Sequence, residues 1–413
     1  MAGLEEKLCP VCFQEAMEHG ECRNCGYHAE ESSAVKDYLA PFTILKEKYL
    51  LGKSLGQGGF GITYLAENMQ SGLRCCIKEY FPSGLLQGRT PDGALILADE
   101  ENRPEYEEGK QQFIEEACAL QELRENISVV DILDFFEENG TAYFAMELIE
   151  GCNLRVFRKN HNPKQTLKMA LQMLFLLGSS LAEVHRFGMI HGDISPENIL
   201  ITQDGEIKLI DFGAARSFRQ GSDNKERKIY LKPNYAPYEQ YTQKPCQGPW
   251  TDIYALAATF YFIVSGRKML DALSRAKGAS YPPLHELCPA VSRQLSDVID
   301  KALAFDYHDR YRRMLDFLDA LEQVVRPEDY DIDLGALMPK SKASKQAEIH
   351  VETSDDSEKM CQVEEQNMPE PKRLAAFFHP KKRRLAYLEL TMRKSGGHIS
   401  RPVSYTHLTL PTI

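Results

Sequence analysis

His191-Gly192-Asp193-Ile194-Ser195-Pro196-Glu197-Asn198, followed thirteen residues later by Asp211-Phe212-Gly213, is the stretch on which the reading of this chain turns. An aspartate able to accept a hydroxyl proton, an asparagine five residues on and an aspartate opening the next loop are what two Mg2+ ions and an attacking oxygen require. Each residue alone passes for an ordinary turn residue; in this order and at this spacing the set is specific. Between the two motifs, the short apolar runs Ile199 to Ile201 and Ile207 to Ile210 read as strands.

Toward the N-terminus, Gly56-Gln57-Gly58-Gly59-Phe60-Gly61 is a G-x-G-x-x-G loop, whose missing side chains let backbone N–H groups approach phosphates. A dinucleotide-binding loop of this pattern opens a helix, whereas Ile62-Thr63-Tyr64-Leu65 continues as strand, which favours a hairpin. Seventeen residues after Gly61, Cys75-Cys76-Ile77-Lys78 puts Lys78 on the next strand, in reach of the α and β phosphates; alone it reads equally as a surface lysine. A charged insertion with Gly and Pro runs from Phe81 to Arg103, and Phe113, Ala117, Leu120 and Leu123 then share one helical face. Strands Val129 to Phe136 and Ala142 to Leu148 flank the turn Glu-Glu-Asn-Gly. After Gly151 the pattern becomes helical, with helices again from Thr251 to Val325. The fold class is therefore α+β, sheet first and helices second.

The chain has 413 residues, too many for one ordinary domain without appendages, with 43% hydrophobic and 26% charged residues, as in folded globular proteins. A net charge of -11 argues against nucleic acid as a partner. Glu5 and Glu6 stand where a secretory signal needs basic and apolar residues, and the cysteines form no disulfide framework, which points to a reducing cytoplasm. The apolar runs Leu171 to Val184 and Ile253 to Val264 are shorter than the roughly 20 residues that span a bilayer and read as buried helices.

Four of the 11 cysteines make two C-x-x-C knuckles, Cys9-Pro10-Val11-Cys12 and Cys22-Arg23-Asn24-Cys25, nine residues apart. Four thiolates at this spacing close a tetrahedron around Zn2+, and Gly26 helps the chain turn back toward the metal. About thirty residues build no core of their own, so metal binding, on the order of 10 to 16 kcal/mol in zinc-finger peptides, would supply the folding energy. With no ligand position open, the role is structural or adaptor-like.

Residues 49 to about 325 resemble the eukaryotic-like serine/threonine protein kinases of bacteria, and Ile77-Lys78-Glu79-Tyr80-Phe81-Pro82-Ser83-Gly84 resembles one branch that often carries an N-terminal zinc ribbon. The resemblance implies a bilobal fold, β-rich N-lobe and α-rich C-lobe, that uses ATP with Mg2+ or Mn2+ on protein substrates, with autophosphorylation. It implies that Lys78 holds ATP phosphates and pairs with Glu116, Glu115 being the alternative. Leu55, Gly56, Gly58, Gly61, Cys76 and Met146 then surround the nucleotide, with Glu147, Leu148 and Ile149 as the hinge. Asp193 is the implied catalytic base, and Asn198 and Asp211 the metal ligands. Ala236-Pro237-Tyr238-Glu239 resembles the end of an activation segment, with Glu239 pairing Arg310 and Asp252 tying the catalytic loop to the helix below.

Three departures bear on mechanism. Gly192 replaces the arginine of many kinases, so a phosphorylated activation loop lacks that partner. Ser195 replaces the phosphate-binding lysine. Counting back seven residues from Glu239 reaches Lys232, where the family carries a threonine that contacts the catalytic aspartate and lysine. The expectation is an exchange, with Lys232 reaching toward Asp193 and the γ phosphate and the Ser195 hydroxyl acting for the threonine; the plain alternative is a solvent-facing loop lysine. His-Gly-Asp also resembles small-molecule phosphotransferases of the aminoglycoside type, and loss of the two usual residues leaves a pseudokinase or scaffold as a further alternative.

The expected organisation is a zinc ribbon over 1–30, a linker over 31–48, a kinase domain over 49–326 and an acidic disordered tether over 327–371. A basic segment follows over 372–400, and residues 401–413 resemble a translated sequencing-adapter artefact. From Pro327 to Pro371 there are twelve acidic and four basic residues, a composition that stays unfolded. From Lys372 to Arg401 there are nine basic and one acidic. Such a basic run reads equally as a solvated tail or as the cytoplasmic flank of a membrane segment beyond this sequence, which would tether the protein.

Overall fold

Alternation at period two decides how the first half of the chain folds, because each strand must place one set of side chains on each face. The computed structural model describes residues 8–14, 16–29, 37–58, 61–123, 126, 128–212, 216–217, 231–242 and 246–338. Gly59, Phe60 and Gly213, the tether beyond Met338, the basic segment and residues 401–413 lie outside them. Of two compact units, 1–343 and 344–413, the first holds every described residue.

The cysteine module carries a small hairpin, β1 (Met17–Glu18) with β2 (Glu21–Cys22). Next come β3 (Ile44–Leu45), β4 (Tyr49–Gln57), β5 (Gly61–Asn68), β6 (Leu73–Tyr80), β7 (Leu86–Arg89) and β8 (Leu95–Leu97). Helix α1 (Arg103–Gln121) leads to β9 (Ile132–Glu138), β10 (Thr141–Glu147) and the short β11 (Gly151–Asn153). An antiparallel sheet forms in the order β3-β4-β5-β6-β10-β9. Ile62, Tyr64, Ala66, Ile77, Tyr143 and Ala145 fill one face, and Phe144 on the other packs on Phe113 of α1, ring centroids 4.8 Å apart.

The face that would otherwise meet water is covered by the insertion and by residues expected to be linker. Leu39 and Leu45 belong to its core, Ile44 and Leu45 pair with Leu50 and Tyr49, and Leu86 and Leu95 of the β7–β8 hairpin pack against it. The domain therefore begins by Asp37, ahead of the expected boundary at Tyr49; burial of two leucines outweighs the polar composition of this segment. Under this cover Glu79, fully buried, accepts from the hydroxyls of Tyr64 and Tyr143 at 3.0 and 2.8 Å and pairs with Arg89. Arg89 in turn donates to the carbonyls of Asp37 and Gly93. A buried carboxylate is tolerable only with such partners, so the glutamate of Lys78-Glu79-Tyr80 ties the insertion to the sheet.

The second half holds α2 (Leu154–Asn160), α3 (Pro163–Arg186), β12 (Met189–Ile190), β13 (Ile199–Thr202), β14 (Ile207–Leu209) and β15 (Arg216–Ser217). After these come α4 (Pro249–Ser265), α5 (Ala272–Ala276), α6 (Leu284–Leu287), α7 (Arg293–Ala302), α8 (Met314–Glu322) and α9 (Pro327–Tyr330). Helix α3 starts on a reciprocal cap between Asn162 and Gln165, with Pro163 at its first position. By length and composition its 24 residues could cross a membrane, yet Met169, Leu174, Leu177 and Leu181 are fully buried against the rest of the lobe. Helix α4 is buried all round from Thr251 to Ile263, as a central helix is. Residues 327–338, expected in the disordered tether, fold instead: α9 packs on α3, and Leu334 and Met338 join the core. Their acidic neighbours set the composition, but two apolar anchors suffice to seat the segment.

Candidate active site

The cleft between the lobes is organised from below by Asp252, buried on α4. Its carboxylate accepts from the backbone N–H groups of His191 and Gly192 at 2.8 and 2.9 Å, and His185 Nε2 lies 2.8 Å away. Burial raises the Asp252 pKa, but these partners outweigh it and hold the group ionised. Gly192 has φ +76°, a conformation glycine adopts freely, and its carbonyl accepts from Gln240. His191 accepts from the Asp193 N–H at Nδ1, so Nε2 carries the proton and faces the Ile210 carbonyl at 3.2 Å. Burial depresses its pKa and keeps this neutral tautomer.

The loop so fixed presents Asp193 and Asn198. The Asn198 amide donates to the carbonyl and to Oδ2 of Asp193, both at 2.9 Å. With its NH2 committed there, the amide oxygen is the end left for a cation. Burial pushes the Asp193 carboxyl above its ordinary value, and Lys232 pulls it back. Lys232 Nζ lies 2.8 Å from Asp193 Oδ2 and 2.9 Å from Ser195 Oγ. The lysine therefore reaches the loop of Asp193 and Ser195, with part of its side chain still in solvent.

Lys78, on β6, bonds Asp211 Oδ1 at 2.8 Å. Burial would lower the Lys78 pKa, but the Asp211 and Glu116 carboxyls raise it; Asp211 is held strongly ionised by Lys78 beside it. Asp211 sits at φ +64°, a sparsely populated conformation for a residue with a side chain. The expected Lys78–Glu116 pair is not formed, and Glu115 is exposed and bonded to Gln111. Burial pushes the Glu116 carboxyl to about 8, and one of its oxygens has no partner. A neutral Glu116 competes poorly for the ammonium that the charged Asp211 attracts.

Around the nucleotide position, Gly61 leaves no room for a side chain, since a Cβ would lie 2.4 Å from the Glu79 carbonyl. The Gly58 N–H donates to the Gly61 carbonyl at 2.8 Å, closing the loop hairpin. Cys76 and Met146 are paired across β6 and β10, Leu55 on β4 is exposed, and Leu148 follows β10. Glu147 accepts from Lys208 at 2.7 Å and from the Asp131 N–H at 2.9 Å, fastening the hinge to the C-lobe. Sequence reasoning missed Lys208; its one signal is a lysine inside the apolar strand Ile207-Lys208-Leu209. At the end of the activation segment Glu239 and Arg310 form a buried two-pronged pair at 2.7 and 3.1 Å, with Thr251 donating to the same carboxylate.

In the cysteine module the Sγ atoms of Cys9 and Cys25, and of Cys12 and Cys22, are 3.6 Å apart, and all four lie within 4.8 Å of one another. A disulfide needs about 2.05 Å, whereas the edge of a zinc–thiolate tetrahedron with bonds of about 2.3 Å is about 3.8 Å. The donor set fits Zn2+. Gly26, at φ +74°, returns its N–H to the Cys22 carbonyl.

A two-lobed cleft in which lysine, two aspartates and an asparagine converge on one point defines a protein kinase fold. Residues 49–319 match the protein kinase domain family, and the chain belongs to it. Over 286 residues it is 31% identical to serine/threonine-protein kinase F of Synechocystis sp., covering 65% of this chain and 53% of that protein. It is 29% identical to serine/threonine-protein kinase PknA of Nostoc sp. over 289 residues, 68% of this chain and 48% of that one. The chain thus spans about half the length of these relatives. Among solved structures it resembles the apo form of PpkA-294, with 34% identity and a TM-score of 0.58, covering 69% of this chain and all of that one.

Proposed function

We propose that this chain transfers the γ-phosphoryl group of ATP to serine or threonine hydroxyls of proteins, itself included. The convergence of Lys78, Asp193, Asn198, Asp211 and Lys232 supports this reading more than any other observation. Lys78 would hold the phosphates, Asn198 and Asp211 the Mg2+ or Mn2+ ions that neutralise developing charge, and Asp193 would take the hydroxyl proton. Lys232 would bring to the γ phosphate the charge that Ser195 lacks. The buried Glu239–Arg310 pair, which seats an activation segment against the C-lobe, favours protein over small-molecule acceptors. Cys9, Cys12, Cys22 and Cys25 would hold one structural Zn2+, and the redox preference of such thiolates favours a cytoplasmic setting. Incubation with labelled ATP and Mg2+, with phosphosite mapping, tests the proposal. Label on serine or threonine in the parent, and none with Asp211→Ala, is the result expected; equal labelling of both proteins rejects it.

A further inference from the structure

The cysteine module rests on the strand that carries the phosphate loop, and the contact is built at a defect in the sheet. Between the pairs Leu51–Ala66 and Ser54–Tyr64, β4 carries one residue more than β5. Such a bulge takes backbone groups out of the ladder and bends the strand. The Lys53 N–H at the bulge donates at 2.9 Å to the carbonyl of Pro10, which lies between Cys9 and Cys12. At Gly52 a Cβ would lie 2.2 Å from that same oxygen and 2.8 Å from the Phe13 ring, so only glycine lets the module seat. Phe13 is buried, and Lys53 Nζ stands 5.8 Å from the centre of the Tyr27 ring. A second bulge, between Ser54 and Gly56, follows at once, so a strand bent twice runs from this contact into the glycine-rich loop.

We propose that the cysteine module is a positioning element of the nucleotide site. The Pro10 carbonyl and the Phe13 ring fix the bulge at Gly52 and Lys53, and the bulge sets the course of β4 through Gly56 to Gly58, where the strand enters the glycine-rich loop. The inference rests on the reading of the cleft as an ATP site. Pro10 and Phe13 touch no nucleotide; they act through β4. Because the metal shapes the loop between Cys9 and Cys12, zinc occupancy and the aim of the phosphate loop are linked.

The test uses the full chain, its Gly52→Ala and Phe13→Ala variants, and the parent stripped of zinc by a chelator. Zinc content, thermal unfolding, affinity for a fluorescent ATP analogue and steady-state kinetics are measured. Both variants are expected to keep their zinc and bind nucleotide about three- to tenfold more weakly, the factor that the loss of one hydrogen bond gives in Gly52→Ala and that the loss of a buried ring contact should approach in Phe13→Ala. Turnover at saturating ATP is expected to stay within about twofold, a split that general loss of folded protein does not produce. Stripping zinc should weaken the parent by a similar factor and add little to Gly52→Ala, whose contact is already broken. Nucleotide affinity unchanged in both variants overturns the positioning role, as does a full additional loss when zinc is stripped from Gly52→Ala. A parent that binds no nucleotide removes the ATP reading together with the inference, a result distinct from either.

Discussion

Replacing Lys232 by alanine removes an ammonium 2.8 Å from Asp193 Oδ2 and 2.9 Å from Ser195 Oγ. A unit charge about 4 Å from a phosphoryl oxygen contributes about 4 kcal/mol at an effective dielectric constant of about 20. The Lys232 side chain keeps 32% of its surface in solvent. Screening in that proportion leaves roughly 2.7 kcal/mol, or about 10^2-fold in turnover. Affinity for ATP should change little, because the charge is needed most where the transferring group develops its own. A second signature follows from the same ion pair. Burial raises the Asp193 pKa and Lys232 lowers it, so without Lys232 the carboxylate becomes a base only at higher pH. The acid limb of the pH–rate profile should therefore move upward. Steady-state phosphorylation across the pH range, with nucleotide affinity measured separately, reads both effects. The double change Ser195→Lys with Lys232→Thr should restore much of the turnover by returning the charge to the catalytic loop. A Lys232→Ala protein with parental turnover and an unmoved acid limb would refute the exchange.

Asp193→Asn should lower turnover by roughly 10^2 to 10^4, the usual contribution of a positioned base, while ATP still binds; titration with a nucleotide analogue and a phosphorylation assay check the two halves. Elemental analysis should find one Zn2+ per chain in protein purified without chelators, and a Cys22→Ser/Cys25→Ser protein that retains zinc would remove those thiolates from the site. Glu116 should make stability depend on pH. Its pKa rises from 4.5 to about 8 on folding, so between those values the folded state binds a proton that the unfolded state has released. Stability without nucleotide should fall as pH rises through that window, and Glu116→Gln should flatten the fall in denaturant titrations.

Local spacing carried most of the site. Asp193, Asn198 and Asp211 fall at short fixed spacings along the chain, and Lys232 was reached by counting back from Glu239. What escaped the sequence depends on distant burial. Nothing local distinguishes Leu39 from a linker leucine, or Leu334 and Met338 from apolar residues in an acidic tail; each becomes core only when a partner surface exists. The Lys78 partner was misread because two carboxyls compete for one ammonium, and burial, which no spacing reports, neutralises one of them. Glu79 stood in a recognisable motif, but its role depends on Arg89 and on hydroxyls from β5 and β10. Gly52 was the one sequence mark of the module's seat, since a glycine within a strand often signals close approach by another backbone.

The cover over the N-lobe sheet also dictates where the catalytic part can be cut free. A shortened chain starting at Tyr49, where the match to the protein kinase domain family begins, would lose β3 and Leu39 while keeping the surface they shield. Leu39 and Leu45 are worth about 1.5 to 3 kcal/mol each when buried, a large share of the 5 to 15 kcal/mol that typically holds a domain folded. The same cut would strip the Asp37 carbonyl from Arg89, the partner of buried Glu79. Excision at Asp37 removes the cysteine module and leaves this face closed, so the two fragments, differing by twelve residues, should part company in solubility.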